Sequence, residues 1–208
     1  MKQYKEHAVS PIVGVMLMLV VTVIIAAIVS GFAGGMAKGQ TKTPTATIQG
    51  QFSTTSGLEL IHAGGDVLPA AGITITVKNG PSFGPNLESY TTNVVDMANV
   101  TNSAGKPVAF RNPTTGQIDG YNITAFSPGD SWYVNITNCD PRIFQKTVYS
   151  SHGDYTYDGS HWTFSVPDDS FWALNFVNQA NIGKQFYMDV NDKASGALIS
   201  RAVVTISG

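Results

Sequence analysis

Apolar residues form one continuous stretch near the N-terminus of the chain. No charged residue occurs from Ala8 to Gly35, and the next charge is Lys38. Serine and proline are favoured at the start of a helix, so we expect Ser10 to be the N-cap and Pro11 the first helical residue. A helix reaching about residue 37 would be about 40 Å long, which exceeds the roughly 30 Å hydrocarbon core of a bilayer. No polar face repeats at helical spacing, so lipid or protein must bury this helix on all sides.

Beyond residue 45 the pattern changes to short runs in which apolar and polar residues alternate. Such runs predict β-strands, and turn signals rich in glycine, proline, asparagine and aspartate separate them. The segment 58–77 reads as a strand, a Gly64-Gly65-Asp66 turn and a second strand, whereas the stretch 81–105 reads as loop. We predict further strands at 131–137, 161–166, 171–177, 185–190 and 198–206. The predicted fold class is therefore α+β: a long N-terminal hydrophobic α-helix followed by an antiparallel β-sandwich or barrel-like globular domain.

Composition narrows the possible partners. Charged residues make up only 12% of the chain and the formal net charge is -2, so no basic field predicts nucleic-acid binding. Cys139 is the single cysteine, so no internal disulfide can form. The segment after the helix, 38–45, contains Gly39 and Pro44 and is predicted to be a linker.

The length and the flanking residues of the apolar stretch indicate whether it is a cleaved signal or a retained membrane helix. The stretch is about twice the length of the apolar part of a cleaved secretory signal. Lys2 and Lys5 favour an N-terminus that stays in the cytoplasm, which places the following domain outside the membrane. From hydropathy alone, a plain signal anchor that holds some other extracellular domain explains the pattern equally well.

The short leader MKQYKEH followed by AVSPIVGVMLMLVVTVIIAAIVSGF resembles the N-terminus of archaeal type IV pilins. The resemblance implies that a prepilin peptidase cuts between His7 and Ala8 and that the helix is retained. The leader departs from the family pattern because it ends in Glu6-His7 instead of a basic residue and glycine. The segments 58–77, 127–133 and 195–208 resemble later strands of the same family. The implied parts are a leader at 1–7, a hydrophobic helix at 8–37, a linker at 38–45 and an extracellular β domain at 46–208.

The same resemblance implies a function. The helix spans the membrane before assembly, an ATPase and a membrane platform then extract it, and identical subunits pack by their helices into an extracellular filament for surface attachment. The alternative is a single-pass anchored β domain that binds carbohydrate at the cell surface. The implied filament-core positions are Ile12, Val13, Gly14, Leu17, Val20, Val21, Ile24 and Ile28.

Candidate chemistry in the β domain is sparse, and we expect no enzyme, no metal and no cofactor. His62 with Asp66 suggests a metal site, but two ligands do not make one. The pattern at Asp154, Asp158 and Gly159 lacks the ligand spacing of a calcium loop and favours a solvated turn. The zinc-protease motif H-E-x-x-H is absent from the sequence, while a spatial Ser-His-Asp arrangement stays open.

Two further sets of residues suit an extracellular domain. Asn99, Asn122 and Asn135 each begin an Asn-x-Thr glycosylation sequon. The aromatic residues are expected mainly in the core, although exposed ones would suit a sugar platform. The late aromatic residues are Trp132, Tyr133, Trp162, Phe164, Phe171, Trp172, Phe176, Phe186 and Tyr187.

Overall fold

The computed structural model describes residues 11–36 and 43–208, which belong to two compact units that divide after Lys42. The first unit contributes one helix, α1 (Pro11–Met36). Its sequence has no interior proline and no charge, and its alanine, leucine and methionine residues favour a helix, whereas valine and isoleucine favour it less. The second unit is the β domain.

The β domain begins at Thr43 and is built mainly from strands. Its only α-helix among the described residues is a single turn, α2 (Pro141–Phe144). The strands are β1 (Ala46–Ser53), β2 (Gly57–Gly65), β3 (Leu68–Pro69), β4 (Ile73–Asn79), β5 (Asn93–Val94), β6 (Thr101–Asn102), β7 (Ala109–Arg111), β8 (Ile118–Tyr121), β9 (Ala125–Phe126), β10 (Ser131–Asn135), β11 (Tyr155–Tyr157), β12 (Trp162–Phe164), β13 (Gln185–Asp192) and β14 (Leu198–Ser207).

Eight strands form the main sheet, in the order β5-β4-β13-β14-β1-β2-β10-β6. Neighbouring strands are antiparallel except for β1 and β14, which pair in parallel at Phe52 with Ile206. Three two-stranded sheets accompany it: β3 with β9, β7 with β8, and β11 with β12. The predicted α+β class with a mostly antiparallel sheet is confirmed, while the parallel pair in the centre of the sheet was not predicted.

The predicted strands at the two ends of 58–77 are present as β2 and β4, but the predicted Gly64-Gly65-Asp66 turn is wrong, because both glycines lie inside β2 and pair with β1. Gly64 and Gly65 have φ values of +156° and +104°, which favour glycine, and a Cβ on Gly65 would lie 2.4 Å from the carbonyl oxygen of Thr45. The two flanking strands do not pair with each other, however. Strand β2 pairs with β1 and β10, whereas β4 pairs with β13 and β5.

An aromatic cluster forms the centre of the core. The ring of Phe52, on β1, lies with its centroid 5.6 Å from that of Phe186 and 6.2 Å from that of Phe176. Phe176 and Phe186 stack at 4.1 Å, and Phe144 packs against both Phe52 and Phe176. Because Phe144 and Phe176 lie in the connection between β10 and β13, that connection covers one face of the main sheet.

The predicted strand at 171–177 is wrong. The segment instead contains a 3₁₀ turn at Trp172–Leu174. The carboxylate of Asp169 accepts hydrogen bonds from the backbone N–H groups of Phe171 and Trp172, at 2.8 and 3.0 Å. The amide of Asn175 then donates to the carbonyl of Phe171 at 2.9 Å. These local bonds satisfy the backbone within the segment, so it forms a turn although its residues favour a strand.

Buried amide side chains hold the rest of this connection in place. The backbone N–H of Phe176 donates to Gln145 Oε1 at 2.6 Å, and Asn175 Nδ2 donates to the carbonyl of Val148 at 3.1 Å. Asn181 Nδ2 donates to the carbonyl of Asn175 at 2.7 Å. Gln145, Asn175 and Asn181 are all at most 1% exposed. These amides therefore replace the strand–strand bonds that a buried loop lacks.

An ion cluster lies on the opposite face of the main sheet. Asp189, on β13, accepts two hydrogen bonds from Arg201 on β14, at 2.8 and 2.9 Å, and lies 2.7 Å from Lys78 Nζ on β4. Glu88 reaches the same two cations only at 3.8 and 3.9 Å. Burial disfavours the charged form of Asp189, but the bonds from Arg201 and Lys78 outweigh burial and lower its pKa.

We expect Asp189→Asn to lower the free energy of unfolding by about 2 kcal/mol. This is less than the 3–5 kcal/mol of a fully buried pair, because solvent reaches Arg201. The lowered pKa means that the carboxylate stabilises the fold above its unfolded pKa of about 3.9. The difference between parent and variant should therefore shrink as the pH falls through the folded pKa. Urea unfolding of the full chain in mild detergent, followed by tryptophan fluorescence, measures both effects.

Glu88→Gln is the matched control for the ion cluster. It removes one carboxylate beside the same two cations, but its side chain is 44% exposed, so the expected loss is below about 0.5 kcal/mol. Equal losses in the two variants, or a loss in Asp189→Asn that does not change with pH, would contradict the assigned role of Asp189.

Candidate functional site

The surface of α1 is the most unusual feature of the described residues. Its large apolar side chains between Ile12 and Phe32 are 45 to 70% exposed, and they lie on every side of the helix. The segment Pro11–Phe32 is long and apolar enough to cross a membrane. A helix with no polar face is stable in neither water nor a one-sided contact, so α1 is a candidate site for lipid or for other protein helices.

Polar and small residues do not interrupt this surface. Thr22 Oγ1 donates to the carbonyl oxygen of Leu19 at 2.9 Å, so its hydroxyl is satisfied inside the helix. A Cβ placed on Gly14 or Gly31 would meet no atom within 4 Å. The two glycines are therefore flat positions on the surface of α1 where a second helix can approach closely.

The predicted positions in the helical unit are only partly described. The described helix begins at Pro11, whereas His7, Ala8 and Ser10 lie outside the described residues, as does most of the predicted linker. The cleavage position and the N-cap therefore stay predictions. The seven large residues among the predicted filament-core positions are all exposed in this chain: Ile12, Val13, Leu17, Val20, Val21, Ile24 and Ile28.

The His62 and Asp66 pair forms a turn in the structure. His62 is 1% exposed, and its Nε2 lies 3.0 Å from the backbone oxygen of Asp66. The carboxylate of Asp66 instead accepts the backbone N–H of Thr45 at 2.9 Å. Among residues 11–36 and 43–208 no group of three or more histidine, cysteine, aspartate or glutamate side chains has the geometry to hold a metal.

The calcium-like pattern also forms a turn. Gly159 has a φ of +96°, and Asp158 Oδ1 accepts the backbone N–H groups of Ser160 and His161, at 2.8 and 2.9 Å. These two bonds, together with the neighbouring His161 side chain, lower the pKa of Asp158. The carboxylate thus closes the hairpin between β11 and β12.

One Ser-His-Asp cluster does occur. Ser150 Oγ donates to Asp169 Oδ2 at 2.8 Å, and His152 Nδ1 lies 3.4 Å from both of those oxygens. In a nucleophilic triad the serine proton points to the histidine and a substrate reaches the serine oxygen. Here the serine proton points to the carboxylate and Ser150 is 1% exposed. The cluster therefore has a structural role: Ser150 holds the carboxylate of Asp169, which accepts the backbone N–H groups of the turn at 171–174.

The cysteine and most of the aromatic residues are in the core. Cys139 is fully buried, and burial raises the pKa of its thiol, which disfavours the reactive thiolate. Most of the nine late aromatic side chains are buried, which agrees with the expected core role. The buried members are Trp132, Trp162, Phe164, Trp172, Phe176 and Phe186.

The three sequons differ in accessibility. Asn122 is exposed, and its Nδ2 donates to the carbonyl of Pro107 at 3.2 Å. Asn135 is exposed at the end of β10, where its Oδ1 accepts from both the N–H and the hydroxyl of Thr137 at 3.0 Å. Asn99 is only half-exposed. The structure therefore presents Asn122 and Asn135 to solvent more fully than Asn99.

A cleft of about 330 Å³ lies beside edge strand β5 and was not predicted. Its rim carries Arg111, Lys146 and Lys193, and Tyr121 lies in its wall. These residues come from separate segments of the chain and share no sequence motif. The sequence therefore contains no signal for this cleft. Its three cations are a large share of a chain that contains only 12 lysines and arginines.

Comparison with known proteins gives one finding for the helical unit. Residues 7–48 match the model of a family described as archaeal type IV pilin, N-terminal. The match includes all of α1 and the first residues of β1. No curated protein matches the chain.

Proposed function

We propose that the chain is the structural subunit of an extracellular type IV pilus-like filament, because residues 7–48 match the family model for the N-terminal segment of archaeal type IV pilins. The family is structural, and the all-round exposed apolar surface of α1 is the observation that carries the proposal. Such a surface fits two environments in turn: lipid around the precursor and neighbouring helices in the filament.

The proposed route begins in the cell membrane. The precursor spans the bilayer with α1, and prepilin peptidase removes the leader between His7 and Ala8. A membrane platform and an assembly ATPase then move the helix from lipid into a bundle of identical helices. Because both environments bury apolar surface on all sides, the transfer exposes little of it to water. The β domain stays outside the membrane throughout.

Small residues support close packing in the bundle. Without a difference in polarity between lipid and helix, association depends on van der Waals contact, which small residues improve. Gly14 and Gly31 leave open space on the helix surface, and Ala26 and Ala27 add two further small positions between them. The filament so formed would display the β domain for attachment to surfaces.

Mass analysis of the N-terminus tests the route directly. Protein sheared from the cell surface is expected to begin at Ala8 or within two residues of it, with α1 intact. A mature chain that lacks the whole apolar stretch would mean ordinary secretion and would overturn the proposal. Intact Met1 in the membrane fraction, with no filaments on the cells, would favour the anchored carbohydrate-binding domain.

A charge in the middle of α1 tests its burial in the filament. Ile24→Asp places a carboxylate where an apolar side chain is 52% exposed in the single chain. The cost of a charge at the centre of a membrane helix is about 2.5–3.5 kcal/mol, so we expect at least a tenfold loss of sheared filaments.

Ile24→Leu is the control for this charge, since it keeps the volume and the apolar character. Filament yield with Ile24→Leu should stay within twofold of the parent. Immunoblots of the membrane fraction show whether Ile24→Asp is inserted before assembly. Normal filaments from Ile24→Asp would contradict a buried position for this residue.

We also propose that Asn122 and Asn135 carry N-linked glycans, because both are exposed on the β domain. Sugar there would cover a surface that is poor in charge. Mass spectrometry of peptides from sheared protein is expected to show added mass at both sites, and Asn122→Gln and Asn135→Gln should each remove it. Asn99, which is only half-exposed, is the comparison site within the same protein. We expect a smaller fraction of Asn99 to carry a glycan. Unmodified peptides at both exposed sites would refute this assignment.

A further inference from the structure

The cleft beside β5 brings together side chains from five parts of the β domain. Backbone and side-chain bonds hold the parts in place. Thr147 N–H donates to Asn93 Oδ1 at 2.9 Å, which places neighbouring Lys146 beside the edge strand. Lys193 N–H donates to the carbonyl of Gly72 at 2.8 Å, which places Lys193 beside the start of β4. The site is therefore built on bonded segments of the domain.

Of the three cations that line the cleft, only Arg111 forms an ion pair with a described residue. Arg111 forms an ion pair with Asp96 and also donates to the carbonyl of Gly116. Neither Lys146 nor Lys193 forms an ion pair with a described residue, although most other cations of the β domain do. Two exposed lysines that form no ion pair with a described residue thus line one cleft, and their charges favour an anionic ligand.

The walls of the same cleft are apolar and aromatic. Val94 is 61% exposed and Ile118 is 38% exposed, which leaves their side chains open to the space between them. Tyr121, which is partly buried against the core, is an aromatic residue of the same lining. A ligand that suits these walls has an apolar face as well as polar groups.

The carboxylate of Asp96 limits how many negative groups a ligand of the cleft can carry. Its two oxygens bind Arg111 and the backbone N–H of Ala98, yet a carboxylate has capacity for further donors. It would repel a ligand that is anionic throughout, such as an acidic peptide, and it would accept hydrogen bonds from hydroxyl groups. The cleft therefore suits a molecule that carries one negative group, several hydroxyls and an apolar ring face.

We propose that this cleft binds an acidic sugar, a pyranose that carries a carboxylate. The carboxylate lies between Lys146 and Lys193, the ring packs on Tyr121 and the aliphatic walls, and hydroxyls reach Asp96. The volume of about 330 Å³ is at the lower end of the range for small-ligand sites, about 300–1,000 Å³. The inference rests on the proposed function in one respect: a sugar site serves attachment only if the β domain is displayed outside the cell.

Calorimetric titration of the full chain in detergent micelles tests the site. The probes are the monosaccharide galacturonate, which carries one carboxylate, and its neutral counterpart, galactose. We expect the acidic probe to bind at least tenfold more tightly and its affinity to fall when salt is raised from 50 to 500 mM, because salt screens exposed charges. The double variant Lys146→Gln, Lys193→Gln should lose at least tenfold in affinity for galacturonate.

Lys106→Gln is the matched control, since Lys106 is an exposed lysine that lies outside the cleft and forms no ion pair within residues 11–36 and 43–208. It should change the affinity less than twofold, and all variants should keep the parent's urea midpoint. No binding of galacturonate, an equal loss in Lys106→Gln, or equally tight binding of tetra-aspartate would each overturn the acidic-sugar site. The titration needs no filaments, so its failure leaves the N-terminal mass test of the pilin function unaffected.

Discussion

Helix α1 can be stable only where lipid or protein covers it on all sides. Its residues Ile12 to Phe32 expose apolar side chains around the whole circumference, and its hydroxyl at Thr22 is satisfied internally. A membrane and a bundle of identical helices meet this requirement in the same way. The family match at residues 7–48 agrees with both, since it describes the N-terminal segment of an archaeal type IV pilin. The proposed function follows from this constraint, because the helix needs partners that the single chain does not supply.

The β domain satisfies a different constraint, the pairing of its buried backbone groups. The connection between β10 and β13 covers the core around Phe52 with few strands of its own. Buried amides such as Gln145, Asn175 and Asn181 pair with its N–H and carbonyl groups. Several of the polar residues in this charge-poor chain are therefore interior. Amides suit this position because they both donate and accept without the cost of a buried charge.

Predictions from the sequence succeeded where the pattern is local. The helix and the strands β4, β10, β13 and β14 depend on the periodicity of apolar residues, which neighbouring residues determine. The strand predicted at 171–177 failed because Asp169 and Asn175 bond to the backbone and form a turn. Residue type alone does not show whether an asparagine faces solvent or bonds to a nearby carbonyl.

The sequence by itself determined that one segment must be buried in lipid or among helices, and that a mostly antiparallel β domain follows it. Those conclusions need only the order of apolar and polar residues along the chain. Tertiary structure alone decided the parallel pairing of β1 with β14, the ion cluster at Asp189, and the cleft that gathers Lys146 and Lys193. Each of these joins residues from distant segments, and the energies that select such contacts arise only once the core has packed and fixed the distances between them.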